Sequence, residues 1–241
     1  MSIRSFAAIA AAALIFIPSH GSAMQILIDD FTTDQRVTDG PGIDGVASQV
    51  AAPEALGGWR DMWVESDLSG LSNTTFESGS GFLSFSNDTN ATGRALLTYD
   101  GNAAGATSPV TSISEVDTDG LGGINFLVGP NPFISFDVNT FESDLFFEAR
   151  VWDMDGNFGN FTEILPPEGS FSPDLPLTDF TFAGGTFDWT QVGAVQFFVE
   201  SSTIGYDGSI TSISVNPIPL PASALLLLSG VGMLAYRRIR G

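Results

Sequence analysis

The side chains able to do chemistry in this 241-residue chain are almost all carboxylates. There are 28 Asp and Glu, no Cys, a single His (His20) and no Lys, because all eight basic residues are Arg. A serine nucleophile needs a neighbouring base to take its proton, and His20, close to the N-terminus, is the one imidazole on offer. Zinc calls for His or Cys. Carboxylates alone leave two chemistries open: glycoside hydrolysis by an Asp/Glu pair, and capture of a hard cation such as calcium by clustered oxygens. Nothing in the spacing singles out a hydrolytic pair. For calcium, Asp153-Met-Asp155-Gly156-Asn157 closes a strand with alternating oxygen donors, and Asp117-Thr-Asp119-Gly120 is a shorter version. Neither has the spacing of an EF-hand loop, and the same residues make ordinary Asp-Gly turns without a metal.

Sugar binding is the other chemistry the residues permit. At period two, Met62 and Val64 share one face of the segment Trp59–Glu65, while Trp59 and Trp63 share the other with Asp61 and Glu65. In the same way Phe147, Ala149 and Val151 point inward, which puts Phe146 and Trp152 beside Glu148 and Arg150. Aromatic rings on a polar face are flat apolar platforms with hydrogen-bonding neighbours, as a sugar ring requires. Trp59, Trp63 and Trp152 are therefore the candidate carbohydrate-binding residues. The competing reading is that a second layer or loops cover these rings.

The elements that must carry these residues read as β-structure. From Gln25 to Val215 the apolar segments are short, rich in Phe, Val, Ile and Thr, and punctuated by Gly and Pro. Strands are expected at Gln25–Phe31, Trp59–Glu65, Phe82–Ser86, Arg94–Tyr99, Ile124–Val128, Phe133–Val138, Leu145–Asp153, Phe161–Ile164, Thr178–Phe182, Ala194–Glu200 and Ser209–Val215. Gly101–Ser108 and Pro166–Pro176 are expected as surface loops, the latter being too rich in Pro for a central strand. With no amphipathic helix of crossover length, the fold class is all-β: an antiparallel β-sandwich, jelly-roll-like.

Charge is distributed unevenly. All 28 acidic residues lie between Asp29 and Asp207, where they face four Arg: Arg36, Arg60, Arg94 and Arg150. Such a surface excludes nucleic acid as a partner, since binding polyphosphate takes a basic face.

Both ends differ from this middle. Arg4, an apolar run from Phe6 to Ile17 and small residues at Gly21 and Ala23 have the form of a secretory signal helix, residues 1–23. Residues 24–216 form the expected β-sandwich domain. Residues 217–241 make a tail of three parts: a Pro-rich spacer, an apolar helix from Ala222 to Tyr236, and a cluster of Arg237, Arg238 and Arg240. The apolar part is shorter than the roughly 20 residues that span a bilayer comfortably, and the basic end predicts a cytoplasmic C-terminus.

The tail resembles the PEP-CTERM sorting domain in its Val-Pro-Leu-Pro-Ala subtype. Ile218 stands where the Val would be, followed by the matching Pro219, Leu220, Pro221 and Ala222, then by Leu-Leu-Ser-Gly-Val-Gly and the Arg cluster. The resemblance implies an exosortase-type membrane processing enzyme as partner. It also implies transient membrane association through the apolar helix, and delivery to the cell surface or an exopolysaccharide matrix. A second, looser likeness is that of Phe180–Ser214 to the end of galactose-binding-like jelly rolls. Such domains often hold a structural calcium near their terminal strands, and here Asp29 or Asp30 in the first strand would pair with Asp207 before the last. Polysaccharide is the expected extracellular partner and calcium the candidate ion. The leading expectation is a non-enzymatic surface or matrix protein; the rival is a secreted carboxylate-dependent glycan hydrolase.

Overall fold

A computed structural model describes residues 24–41, 45–67, 72–101, 108–167 and 172–217. The expected signal helix, the sorting motif Pro219–Ala222, the apolar helix and Arg237, Arg238 and Arg240 lie outside the described residues. Among the described residues no helix is long and apolar enough to cross a membrane.

The chain folds into fourteen strands: β1 (Ile26–Asp29), β2 (Gln35–Asp39), β3 (Val46–Ala51), β4 (Trp59–Ser66), β5 (Thr74–Gly79), β6 (Phe82–Asn87), β7 (Gly93–Tyr99), β8 (Phe133–Phe141), β9 (Leu145–Asp153), β10 (Phe158–Leu165), β11 (Asp174–Pro176), β12 (Thr181–Ala183), β13 (Val192–Ser201) and β14 (Asp207–Asn216). All pair antiparallel in two seven-stranded sheets. The first sheet runs β11-β8-β14-β6-β5-β2, with β1 added to β14, and the second runs β12-β10-β9-β13-β7-β4-β3. This is the antiparallel sandwich expected from short apolar runs without crossover helices.

Alternation decides what lies between the sheets. From the second sheet come Met62 and Val64 of β4, Leu97 of β7, Phe147, Ala149 and Val151 of β9, and Val195 and Phe197 of β13. From the first come Phe76, Phe85, Ile134, Phe136, Val138, Ile213 and Val215. Phe136 and Phe147 meet across the gap with ring centroids 4.9 Å apart. A one-residue slip would turn each of these sets outward, so the register is strongly specified.

Four strands were not expected from the sequence: β2, β3, β5 and β11. The first three are polar and alternating (Gln35-Arg-Val-Thr-Asp39, for example), and β11 lies in the segment expected as a Pro-rich loop. β11 sits at the edge of its sheet, where Pro176 costs no internal ladder bond. Conversely, Ile124–Val128 is not a strand but a single bridge between Ile124 and Val192. Its Phe126 is buried and stacks against Trp189 with centroids 6.4 Å apart, so the apolar residues of this segment cap the core rather than extend a sheet.

At one end the core contains charge. Arg60 and Asp29 are both fully buried and joined at 2.8 Å. Arg60 also donates to Gln35 Oε1 at 2.9 Å and to the Thr33 carbonyl at 2.6 Å, while Tyr99 donates to Asp29 at 2.7 Å. Burial pushes the Asp29 carboxyl up, and Arg60 and these hydrogen bonds offset it only in part. The polar network ties β1, β4 and β7 together across the two sheets.

Candidate functional site

The outer face of the second sheet gathers most of the residues with a capacity for recognition. Cross-strand register aligns Gln49 of β3 with Asp61 of β4, Thr98 of β7, Gln196 of β13, Arg150 of β9 and Asn160 of β10. These side chains form a hydrogen-bonded row. Gln196 donates to Thr98 at 2.9 Å, Arg150 donates to Gln196 at 2.8 Å and to Glu148 at 2.6 Å, and Asn160 donates to Glu148 at 3.1 Å. A second row aligns Trp63, Leu96, Phe198 and Glu148. Arg150 lies 5.1 Å from the centroid of Phe198, and Arg94 lies 5.9 Å from that of Trp63 while bonding Glu65. Phe146 packs edge-on against Phe198 at 6.0 Å.

The three tryptophans take different positions. Trp59 and Trp63 are half-buried on this outer face, as the alternation required. Trp152 points the same way but is only 6% exposed, packed against Phe158 of β10 at 5.2 Å between centroids. Trp152 therefore cannot act as an open platform, because the neighbouring ring covers it. Phe198 takes over that role: Val199 packs against the core, and Phe198 turns outward between Trp63 and Arg150.

The calcium candidates also resolve in detail. Both oxygens of Asp153 are occupied: Oδ1 accepts from the backbone N–H groups of Asp155 and Asn157 and from Asn157 Nδ2, and Oδ2 accepts from Asn157 Nδ2 and from the Asp188 N–H. Burial raises the Asp153 carboxyl, but these donors outweigh it and hold the group below its usual range. Asn157 Oδ1 accepts from the Gly185 N–H at 2.7 Å. A carboxylate ringed by N–H groups pins a turn and leaves no oxygen facing a cation, so Asp153, Asp155 and Asn157 form the hairpin turn between β9 and β10. Gly156, at φ 76°, supplies its left-handed residue.

The pairing of Asp30 with Asp207 fails on register. Asp29 lies opposite Ile213, whereas Asp207 lies opposite Ser86, so β1 and β6 follow one another along β14 and the two acids are at opposite ends of it. At about 3.3 Å per residue that is roughly 20 Å, far beyond a shared ion. Asp29 and Asp30 instead approach Glu54. Each of these three carboxylates already accepts protein donors: Phe31 N–H, Arg60 and Tyr99 on Asp29, the Thr32 N–H and hydroxyl on Asp30, and the Thr33 N–H and hydroxyl on Glu54.

One group escaped the sequence reading altogether. Asp61, 1% exposed, sits beside Asp100 of the next strand connection, also buried. Burial, and next the charge of Asp100, push the Asp61 carboxyl up to about 7; burial likewise raises Asp100. Among 28 acids, Asp61 carries no local signature, since its partner comes from a distant part of the chain.

No protein-family model and no curated protein sequence matches the chain. Among solved structures it is similar to the agarase AgWH50C, with 10% identity and a TM-score of 0.41 over 81% of this chain and 25% of that one. It is also similar to the family 11 carbohydrate-binding module of the cellulosomal cellulase Lic26A-Cel5E of Clostridium thermocellum, with 12% identity and a TM-score of 0.37 over 80% of this chain and 94% of that one. A third likeness is to PfGH50B, at 12% identity and a TM-score of 0.39, over 65% of this chain but 22% of the other. All three overlaps are loose.

Proposed function

We propose that this chain is an exported cell-surface or exopolysaccharide-matrix protein that binds a neutral polysaccharide on the outer face of its second sheet. In this reading its C-terminal tail carries it through an exosortase-type route, with membrane association in transit only. The observation that supports binding is the pairing of half-exposed rings, Trp63 and Phe198, with a continuous row of amides, carboxylates and guanidinium groups. Rings of this kind stack on the apolar faces of sugars, and the flanking polar groups fix hydroxyl positions. Neutral ligands fit best because both Arg side chains on the face are already engaged, Arg94 by Glu65 and Arg150 by Glu148.

The hydrolase reading has one feature in its favour, the buried Asp61–Asp100 pair with a carboxyl raised to about 7. Hydrogen-bonding reach between the two groups, however, is closer than either glycosidase geometry, which needs carboxyls about 5 Å or more apart to admit the sugar. Binding without turnover is the better-supported activity. Glycan-array binding of the purified full chain tests it: retention on neutral glycans, without release of reducing ends, is the expected outcome. Reducing sugar released at a rate abolished by Asp61→Asn would move the assignment to the hydrolase.

A further inference from the structure

The region around Asp61 has a property that sugar binding does not use. A small cavity of about 50 Å³ opens beside β4 and the end of β7, lined in part by Gln49, Asp61, Asp100, Glu115 and Asp117. That is room for one ion or one water, not for a sugar. Its side-chain lining offers oxygen donors without any Arg among the described residues, so four carboxylates converge with no cation to balance them. A cluster of acids alone would be unremarkable on so acidic a chain. What distinguishes this one is an orphaned atom: Asp61 Oδ1 is buried and has no hydrogen-bond partner among the described residues. Its other oxygen receives only a long contact, 3.4 Å, from Gln49 Nε2.

The contrast with the other acidic groups is direct. Asp153 has both oxygens occupied by N–H donors, and Asp29, Asp30 and Glu54 each accept protein donors. Asp100 accepts one N–H, from Asp117 at 2.9 Å, through Oδ2. A buried carboxylate oxygen without a donor costs on the order of 1–3 kcal/mol or more in lost solvation, so such atoms are rare unless something fills the space before them.

We infer that this cavity is a binding site for one divalent cation of the calcium type, held by the carboxylates of Asp61 and Asp100. Calcium takes six to eight oxygens at about 2.3–2.6 Å in loose geometry, and prefers carboxylate and amide oxygens to nitrogen. Here the two buried carboxylates supply the charge, and Gln49, Asp117 and Glu115 supply further oxygens at the rim, with water completing the shell. The ion would join β4 to β7 and to the Asp117 turn, which packs closely there: a Cβ on Gly120 would meet the Asp100 carbonyl oxygen at 1.5 Å. It would stiffen one end of the polar row that begins at Gln49 and Asp61.

The test uses the full chain stripped with EDTA and titrated with calcium chloride at neutral pH, read by calorimetry and by the melting temperature. One calcium per chain and a rise of several degrees in melting temperature are expected in the wild type. Asp61→Asn and Asp100→Asn, which keep the shape of the side chain, should both abolish the response while leaving the far-ultraviolet circular dichroism unchanged. The inference is overturned if the wild type takes up no calcium, since a proton shared between Asp61 and Asp100 would then account for the orphaned oxygen. It is equally overturned if both variants bind calcium as the wild type does, which would move the ion to another acidic group such as Asp30 and Glu54. Glycan retention measured on the same variants is a separate readout.

Discussion

Replacing Asp61 by Asn should make the metal-free protein more stable above neutrality, and the size of the effect follows from its surroundings. Burial and the neighbouring Asp100 raise the Asp61 carboxyl from 3.8 to about 7 in the folded chain. An acid whose folded value exceeds its unfolded one contributes stability that is fully present below the unfolded value. That contribution is lost as pH rises through the folded value. Each unit is worth about 1.4 kcal/mol, so ionising Asp61 in place should remove about 4 kcal/mol between roughly pH 4 and pH 8. Asn has no charge to bury and its amide can donate to Asp100. The assay is guanidinium unfolding in chelator at pH 5 and pH 8. The wild type should lose several kcal/mol between the two, and Asp61→Asn should lose far less and exceed the wild type at pH 8. If the variant is the less stable protein at pH 8, or if both show the same dependence on pH, the placement of a buried, repelled carboxyl at this position is wrong.

Other consequences are as direct. Arg60→Met leaves buried Asp29 without its cation and should cost about 3–5 kcal/mol in denaturant unfolding, because an unpaired buried charge is the dominant penalty. Asp153→Ala strips the acceptor from the turn between β9 and β10 and should cost about 1–3 kcal/mol, equally in calcium and in chelator. Substituting Pro219, Leu220, Pro221 and Ala222 together should leave the tail uncleaved and hold the protein in the membrane fraction, seen as a larger band on immunoblots.

Much of the fold could be read from the chain because its strongest strands obey a single rule. Phe133–Val138, Leu145–Asp153 and Ala194–Glu200 alternate apolar and polar residues, and the structure places them as β8, β9 and β13 with the apolar set inside. β2, β3 and β5 were hidden because their sequences carry few large apolar residues: they are made strands by neighbours they pair with, not by their own hydrophobicity. Alternation also placed Trp152 on the outer face correctly, yet could not foresee Phe158 folding over it, since β10 enters from the adjacent hairpin. Asp153 was legible as an Asp-Gly turn, and its five N–H contacts explain why the turn reading prevails over calcium there. Asp61 illustrates the reverse limit. What makes it distinctive is the identity of a residue on the neighbouring strand, and a sequence without pairing information does not bring Asp61 and Asp100 together.

The central claim is that Trp63 and Phe198, with the polar row beside them, form a sugar-binding face. Its most direct test is the affinity of the full chain for the polysaccharide best retained on an array, compared with that of Trp63→Ala and Phe198→Ala by titration calorimetry. Loss of one stacking ring should weaken binding by about tenfold or more, equivalent to about 1.4 kcal/mol, with the melting temperature close to that of the wild type. Wild-type affinity in both folded variants, or no glycan bound by the unaltered chain, would contradict the assignment.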